Sequence, residues 1–148
     1  MLVVDTNIVL DLFVFDEPAI APLKAALLAG GQNWIATSAM RGELVRVLGY
    51  PHIAARMQRG GIGAACVLAA FDTHARMVEP AAKAPCTCKD PDDQIFIDLA
   101  VAHRASLLSK DQAVLSMRKR LLASAVRATS AIDFVAQSFP PAPSANTA

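Results

Sequence analysis

Apolar residues follow two rhythms along this chain. Short unbroken runs, Leu2-Val3-Val4, Trp34-Ile35-Ala36 and Ser106-Leu107-Leu108-Ser109, show no alternation, as expected of parallel strands covered on both faces. Helical spacing separates them. A helix is predicted through Leu10, Leu12 and Phe13, and another over residues 18–28, closed by Gly30-Gly31. Thr37-Ser38 offers an N-cap to a helix on which Met40, Leu44, Val47 and Leu48 recur until Gly49-Tyr50-Pro51 stops it. Residues 52–78 read as helical throughout, as two helices hinged at Gly60-Gly61 and Gly63. After a loop over 79–89, Asp90 reads as the N-cap of a helix to residue 104, with Pro91 at its first position and Asp92 and Asp93 favourable to its dipole. Val114, Met117, Leu121 and Leu122 mark a further helix, and residues 124–129 a last strand. This alternation predicts an α/β fold, a three-layer α/β/α sandwich on a short, mainly parallel sheet. The folded unit is expected over residues 1–136, with a disordered Pro-rich tail over 137–148.

Composition narrows the class. At 148 residues and 54% hydrophobic, the chain suits one domain with a real core and is too apolar for intrinsic disorder. No run reaches the roughly 18 apolar residues of a spanning helix, and Asp5 interrupts the N-terminal apolar run, so a soluble, cytoplasmic protein is expected. Cys66, Cys86 and Cys88 are odd in number and lack zinc spacing, so free loop thiols are expected rather than a disulfide framework. A net charge of +1 gives no global attraction for nucleic acid, so any such function must reside in a local site.

Such a site is visible among the acids. The first and third apolar runs end at Asp5 and Asp111, and open parallel sheets bind ligands beyond the carboxyl ends of their strands. Glu43 falls on the apolar face of its helix, where an uncompensated charge is costly. Asp93 or Asp92 adds a fourth acid from a helix start. Gathered carboxylates repel, and Mg²⁺ or Mn²⁺ is the usual remedy. With no Ser–His or Cys–His arrangement, metal-assisted phosphodiester hydrolysis is the natural chemistry. Taken singly, each acid also has an ordinary reading: Asp5 in a turn, Glu43 reaching the surface, Asp93 on a helix dipole, Asp111 as a cap.

Val3-Val4-Asp5-Thr6-Asn7, the helix from Glu43 to Leu48, the stretch Asp93-Gln94-Ile95-Phe96-Ile97-Asp98-Leu99-Ala100, and Leu107-Leu108-Ser109-Lys110-Asp111 resemble, in that order, the motifs of PIN domains. The resemblance covers about residues 1–136. Glu43 on its Leu-rich helix ending at Tyr50-Pro51, together with Asp90-Pro91-Asp92-Asp93, is similar to the branch of VapC-type toxins of toxin–antitoxin systems. It implies a PIN-like sandwich and a Mg²⁺- or Mn²⁺-dependent ribonuclease that leaves a 5′-phosphate and a 3′-hydroxyl. It further implies Asp5, Glu43, Asp93 and Asp111 as metal ligands, Thr6 or Asn7 and Ser109 as their supports, and a small antitoxin whose basic tail enters the acidic site. A homodimer is also expected, since such toxins pair and the apolar content exceeds one small core's needs.

Two readings differ at the fourth acid. A stripe of Ile95, Phe96, Leu99 and Ala102 places Asp92 inward, whereas the spacing to Asp111 within the resemblance favours Asp93, with Asp92 as auxiliary. Asp98 is expected at the solvated surface. Arg41, Arg46 and Arg118-Lys119-Arg120 read as solvated cations that would meet RNA phosphates if they rim the site. His52, His74 and His103 lack ligand spacing, and the sparse aromatic residues, without interleaved basic ones, predict no base-stacking platform. Two other functions compete. A phosphatase of the haloacid dehalogenase type wants a second acid where this chain has Asn7, and a non-catalytic interaction module need not keep four acids.

Overall fold

Five short strands, every pairing parallel, form the centre of the computed structural model, which describes residues 1–140. β1 (Leu2–Val4) pairs with β4 (Ser106–Leu108), and β4 with β5 (Ala128–Thr129). β2 (Ile35–Ala36) pairs with β3 (Arg76–Met77), and a parallel bridge from Leu2 to Trp34 joins the two pieces. The resulting order is β3-β2-β1-β4-β5. Helices α1 (Thr6–Phe13) and α2 (Ala21–Leu28) link β1 to β2, and α3 (Ser38–Leu48), α4 (Pro51–Gly60) and α5 (Ala64–His74) link β2 to β3. α6 (Gln94–His103) leads into β4, α7 (Gln112–Leu115) and α8 (Arg118–Leu122) into β5, and α9 (Ala131–Ser138) follows. From β1 the chain steps outward in one direction to β3, then crosses to β4 and steps the other way. Right-handed connections therefore place the two sets of helices on opposite faces, giving the three-layer α/β/α sandwich.

Local chemistry explains the elements. Leu2, Val3, Val4, Leu107 and Leu108 are all buried, the environment their unbroken apolar runs require. Thr37 caps α3 by accepting from the Met40 N–H at 3.4 Å. Gly61 ends α4 with φ +67°, a left-handed conformation that glycine adopts without a Cβ penalty. Trp34, 1% exposed, stacks on Phe13 and meets Phe71 edge-on at 5.2 Å, so one ring fastens β2 to α1 and α5.

Several expectations need correction. Residues 52–78 are not helical throughout: Arg76–Met77 is the edge strand β3, too short and too exposed to leave an apolar run. The single helix expected around Val114 and Leu121 is two short ones, and the last strand is confined to Ala128–Thr129. α9 carries helix to Ser138, past the boundary at 136, and the tail from residue 141 onward lies outside the described residues.

Asp98 is not at the solvated surface. It is half-buried, and its Oδ1 accepts from the Ala84 N–H and from Gln94 Nε2, both at 2.8 Å. Gln94 also donates to the Cys86 carbonyl at 2.9 Å and accepts from the Cys88 N–H at 2.7 Å. The pair clamps the loop before α6, giving its buried amide groups the partners they need. Cys66 is exposed, Cys86 half-buried and Cys88 buried. No helix among the described residues is long and apolar enough to cross a membrane.

Candidate active site

The strand order reverses between β1 and β4, and at such a switch point the connections diverge to opposite faces and leave a crevice beyond the strand ends. Val4 is in register with Leu108, and the Asp5 N–H continues the ladder to the Leu108 carbonyl at 2.9 Å. Asp5 and Asp111 therefore leave neighbouring strands at the mouth of the crevice. α3, which follows β2, brings Glu43, and a single 3₁₀ turn, Pro91–Asp93, brings Asp93 to the start of α6. All four border one cleft of about 290 Å³, with Thr6, Asn7 and Asp92 also on its wall. Ser109 lies beneath it, fully buried.

Ser109 organises the floor. Its hydroxyl donates to Asp5 Oδ2 at 2.7 Å and accepts from the Asp111 N–H at 3.0 Å. Asp5 is 4% exposed. Burial pushes its carboxyl above the usual range, the Ser109 hydrogen bond opposes the rise, and the nearby Asp111 charge adds to it. Asp111 caps α7, accepting from the Ala113 N–H at 2.9 Å. Asp111 is thus the cap of its ordinary reading, and the cap fixes its position at the cleft.

Asp93 is 6% exposed, and its Oδ2 is buried with no hydrogen-bond partner. Burial first, then the Asp111 side chain and the charges of Asp5, Asp111 and Asp90, push its pKa up to about 8. Glu43 is in similar condition: its Oε2 is buried without a partner. Its carboxyl is raised chiefly by burial and further by Asp5 and Asp92, while Thr6 and Arg46 oppose the rise. Asp92 is exposed, against its inward placement on the predicted stripe. The buried residues of α6 are Phe96, Ile97, Leu99 and Ala100, and Asp93, three and four positions before Phe96 and Ile97, shares their face, whereas Ala102 is exposed.

Asp90 joins the cluster. As expected it caps the turn, accepting from the Asp92 N–H at 3.0 Å. One ligand oxygen from each of Asp90, Asp93 and Asp111 also lies within 4.8 Å of the others. A hard cation with bonds of about 2.0–2.6 Å can bridge oxygens so spaced. The spacing of a cap and its helix start carries no signal for this second role. Tyr50, which the sequence marks only as part of a helix stop, and His52, which it assigns no ligand role, also line the cleft. Of the expected cations, Arg41 is engaged elsewhere, forking onto Asp72 at 2.7 and 2.9 Å to tie α3 to α5. Arg46 borders a neighbouring groove with Glu43 and Asp92, and residues 118–120 are exposed on α8.

The donor set fits a divalent metal. It consists of hard carboxylate oxygens, and two buried ones, on Glu43 and Asp93, lack a hydrogen-bond partner among the described residues. A buried carboxylate without a partner is costly, and a cation removes that cost.

A family model for the PIN domain matches residues 1–113, a span that contains all of these acids. The chain belongs to the PIN domain family. No curated protein and no solved structure matches it. PIN domains are generally nucleases that use divalent metals, which sets aside the haloacid dehalogenase alternative. The class is therefore a hydrolase acting on nucleic acid.

Proposed function

We propose that this PIN domain is a Mg²⁺- or Mn²⁺-dependent endoribonuclease, with Asp5, Glu43, Asp93 and Asp111 as its catalytic metal ligands. The observation that carries this reading is the pair of buried oxygens on Glu43 and Asp93 that have no hydrogen-bond partner among the described residues, in acids bordering a cleft whose described wall holds no Lys or Arg. A divalent cation in this set supplies positive charge for the scissile phosphate and acidifies a water to serve as nucleophile. The remaining work belongs to the chain. Ser109 holds Asp5 by a donated hydrogen bond, which fixes that carboxyl and favours its ionised form against the effect of burial. The α7 cap fixes Asp111, and the α6 packing face fixes Asp93. Thr6 opposes protonation of Glu43, and Asn7 does so for Asp5 through its backbone N–H. Asp92, exposed on the wall, is auxiliary. Attack of water on phosphorus with departure of the 3′ oxygen yields a 5′-phosphate and a 3′-hydroxyl.

The same reading makes the protein the toxin of a type II pair, of the VapC kind, working as a cytoplasmic homodimer. Its support is the cleft itself, whose described wall holds six acids and no Lys or Arg. Such a cavity suits the basic tail of a small antitoxin, which would neutralise the carboxylates and occlude them together.

The test is RNA cleavage by the purified chain, freed of any partner, in EDTA, Mg²⁺ and Mn²⁺. Cleavage is expected only with metal and is abolished by Asp5→Asn with the fold retained. Cleavage in EDTA, or full activity of Asp5→Asn, overturns the assignment.

A further inference from the structure

The chain has eight aromatic residues, one Trp, one Tyr and six Phe. Trp34, Phe71, Phe96 and Phe134 are buried and the other phenylalanines half-buried, leaving Tyr50 as the one exposed aromatic side chain, at 43%. Exposing a large ring forfeits the stabilisation its burial would bring. Tyr50 does so on the wall of the acidic cleft. His52 shares that wall, also exposed, with ring centroids 6.3 Å apart and planes inclined by 30°.

The ring is carried on a fixed corner between α3 and α4. The Tyr50 N–H donates to the Val47 carbonyl at 3.0 Å, and its own carbonyl accepts from the Ala54 N–H at 2.8 Å. Pro51 restricts the residue before it to extended backbone, and Tyr50 has φ −64° and ψ 138°. Both backbone groups are committed while the side chain is left in solvent. That arrangement presents a planar surface at little further entropic cost.

The cleft needs such a surface. Its carboxylates repel a phosphate backbone, and no Lys or Arg lines the described wall to attract one. Stacking of a base on an aromatic face does not depend on charge and is available to unpaired nucleotides. We propose that Tyr50, with His52 beside it, is the substrate-positioning surface of this nuclease and stacks an unpaired base of single-stranded RNA next to the scissile phosphate. The proposal rests on the ribonuclease reading above. The aromatic scarcity that predicted no stacking platform holds for the chain as a whole, but one exposed ring at the cleft is sufficient.

The test combines binding and kinetics on the full chain. In a cleavage-dead Asp5→Asn background with Mg²⁺, binding of short fluorescent oligoadenylate is compared for Tyr50, Tyr50→Phe, Tyr50→Leu and His52→Ala. Stacking predicts about tenfold weaker binding for Tyr50→Leu, near-parent binding for Tyr50→Phe and a smaller loss for His52→Ala. In the active background, Tyr50→Leu raises KM about tenfold with a smaller change in kcat, and its melting temperature stays that of the parent. Equal binding and KM for Tyr50→Leu, or no oligoadenylate binding by the parent, overturns the stacking surface. Ring-dependent binding without cleavage by the parent overturns the nuclease reading alone.

Discussion

Ser109 and Asp5 are 104 positions apart in the chain, yet the Ser109 hydroxyl donates to Asp5 Oδ2 at 2.7 Å in the fully buried floor of the cleft. Because Ser109 Oγ also accepts from the Asp111 N–H, one side chain sets two of the acids. Ser109→Ala leaves a buried carboxylate without its donor, a loss of about 2 kcal/mol. Thermal denaturation is expected to show that loss, and RNA cleavage to fall at least tenfold while circular dichroism is unchanged. Parent-like melting would mean that Asp5 is held by something else.

Stability of the metal-free protein should fall as pH rises. The Asp93 carboxyl has a folded pKa of about 8 against an ordinary 3.8, so in that interval the folded state binds more protons than the unfolded one. Unfolding free energy therefore decreases with pH between those values and is indifferent to Asp93 below and above them. Asp5 and Glu43, both raised, add in the same direction. Melting temperatures measured in EDTA from about pH 4 to about pH 8 should decline, and less steeply for Asp93→Asn. A flat or rising profile contradicts the crowding of these acids.

Neutralising Glu43 should stabilise the empty site. Its buried Oε2 has no partner, and the Asp5 and Asp92 charges oppose its ionisation. Glu43→Gln is expected to melt a few degrees higher than the parent in EDTA at neutral pH, and to lose nuclease activity. Unchanged or lower melting for both Glu43→Gln and Asp93→Asn would show that the acids do not share their repulsion.

Divalent metal should reverse that order. Mg²⁺ or Mn²⁺ bound to the folded state alone raises the melting temperature with concentration. Differential scanning fluorimetry is expected to show this for the parent and a much smaller rise for Asp93→Asn. Equal rises in both would place the metal elsewhere.

The clamp on the loop before α6 is testable apart from catalysis. Gln94 joins the Cys86 carbonyl, the Cys88 N–H and Asp98, so Gln94→Ala leaves several partly buried groups without partners. A loss of about 1–3 kcal/mol and faster proteolysis within residues 79–89 are expected. Resistance equal to the parent's would show that the loop is held by packing alone.

The sequence made some of this legible for physical reasons. β1, β2 and β4 are buried on both faces, so their unbroken apolar runs stand out, and the acids that follow them lie at a predictable edge. β3 was invisible because two exposed residues at a sheet edge carry no pattern. The helical stripe puts Asp92 inward in place of Asp93 because it takes in Ala102, which is exposed, and leaves out Ile97 and Ala100, which are buried. The roles of Asp98 and Asp90 depend on where a loop folds back, and periodicity contains no information about that. Tyr50 reads as part of a helix stop, and only the packing shows that its ring is left outside.

The bond between Ser109 and Asp5 also orders events in time. β1 must wait for β4, synthesised some hundred residues later, and such non-local pairings slow folding because a long loop closes before any contact compensates. During synthesis, an N-terminal fragment carrying Asp5 and Glu43 lacks the serine that fixes the first acid and the strand that brings the last. The full set of acids is thus assembled in one step, when β4 and the residues just after it join β1, rather than accumulated along the chain.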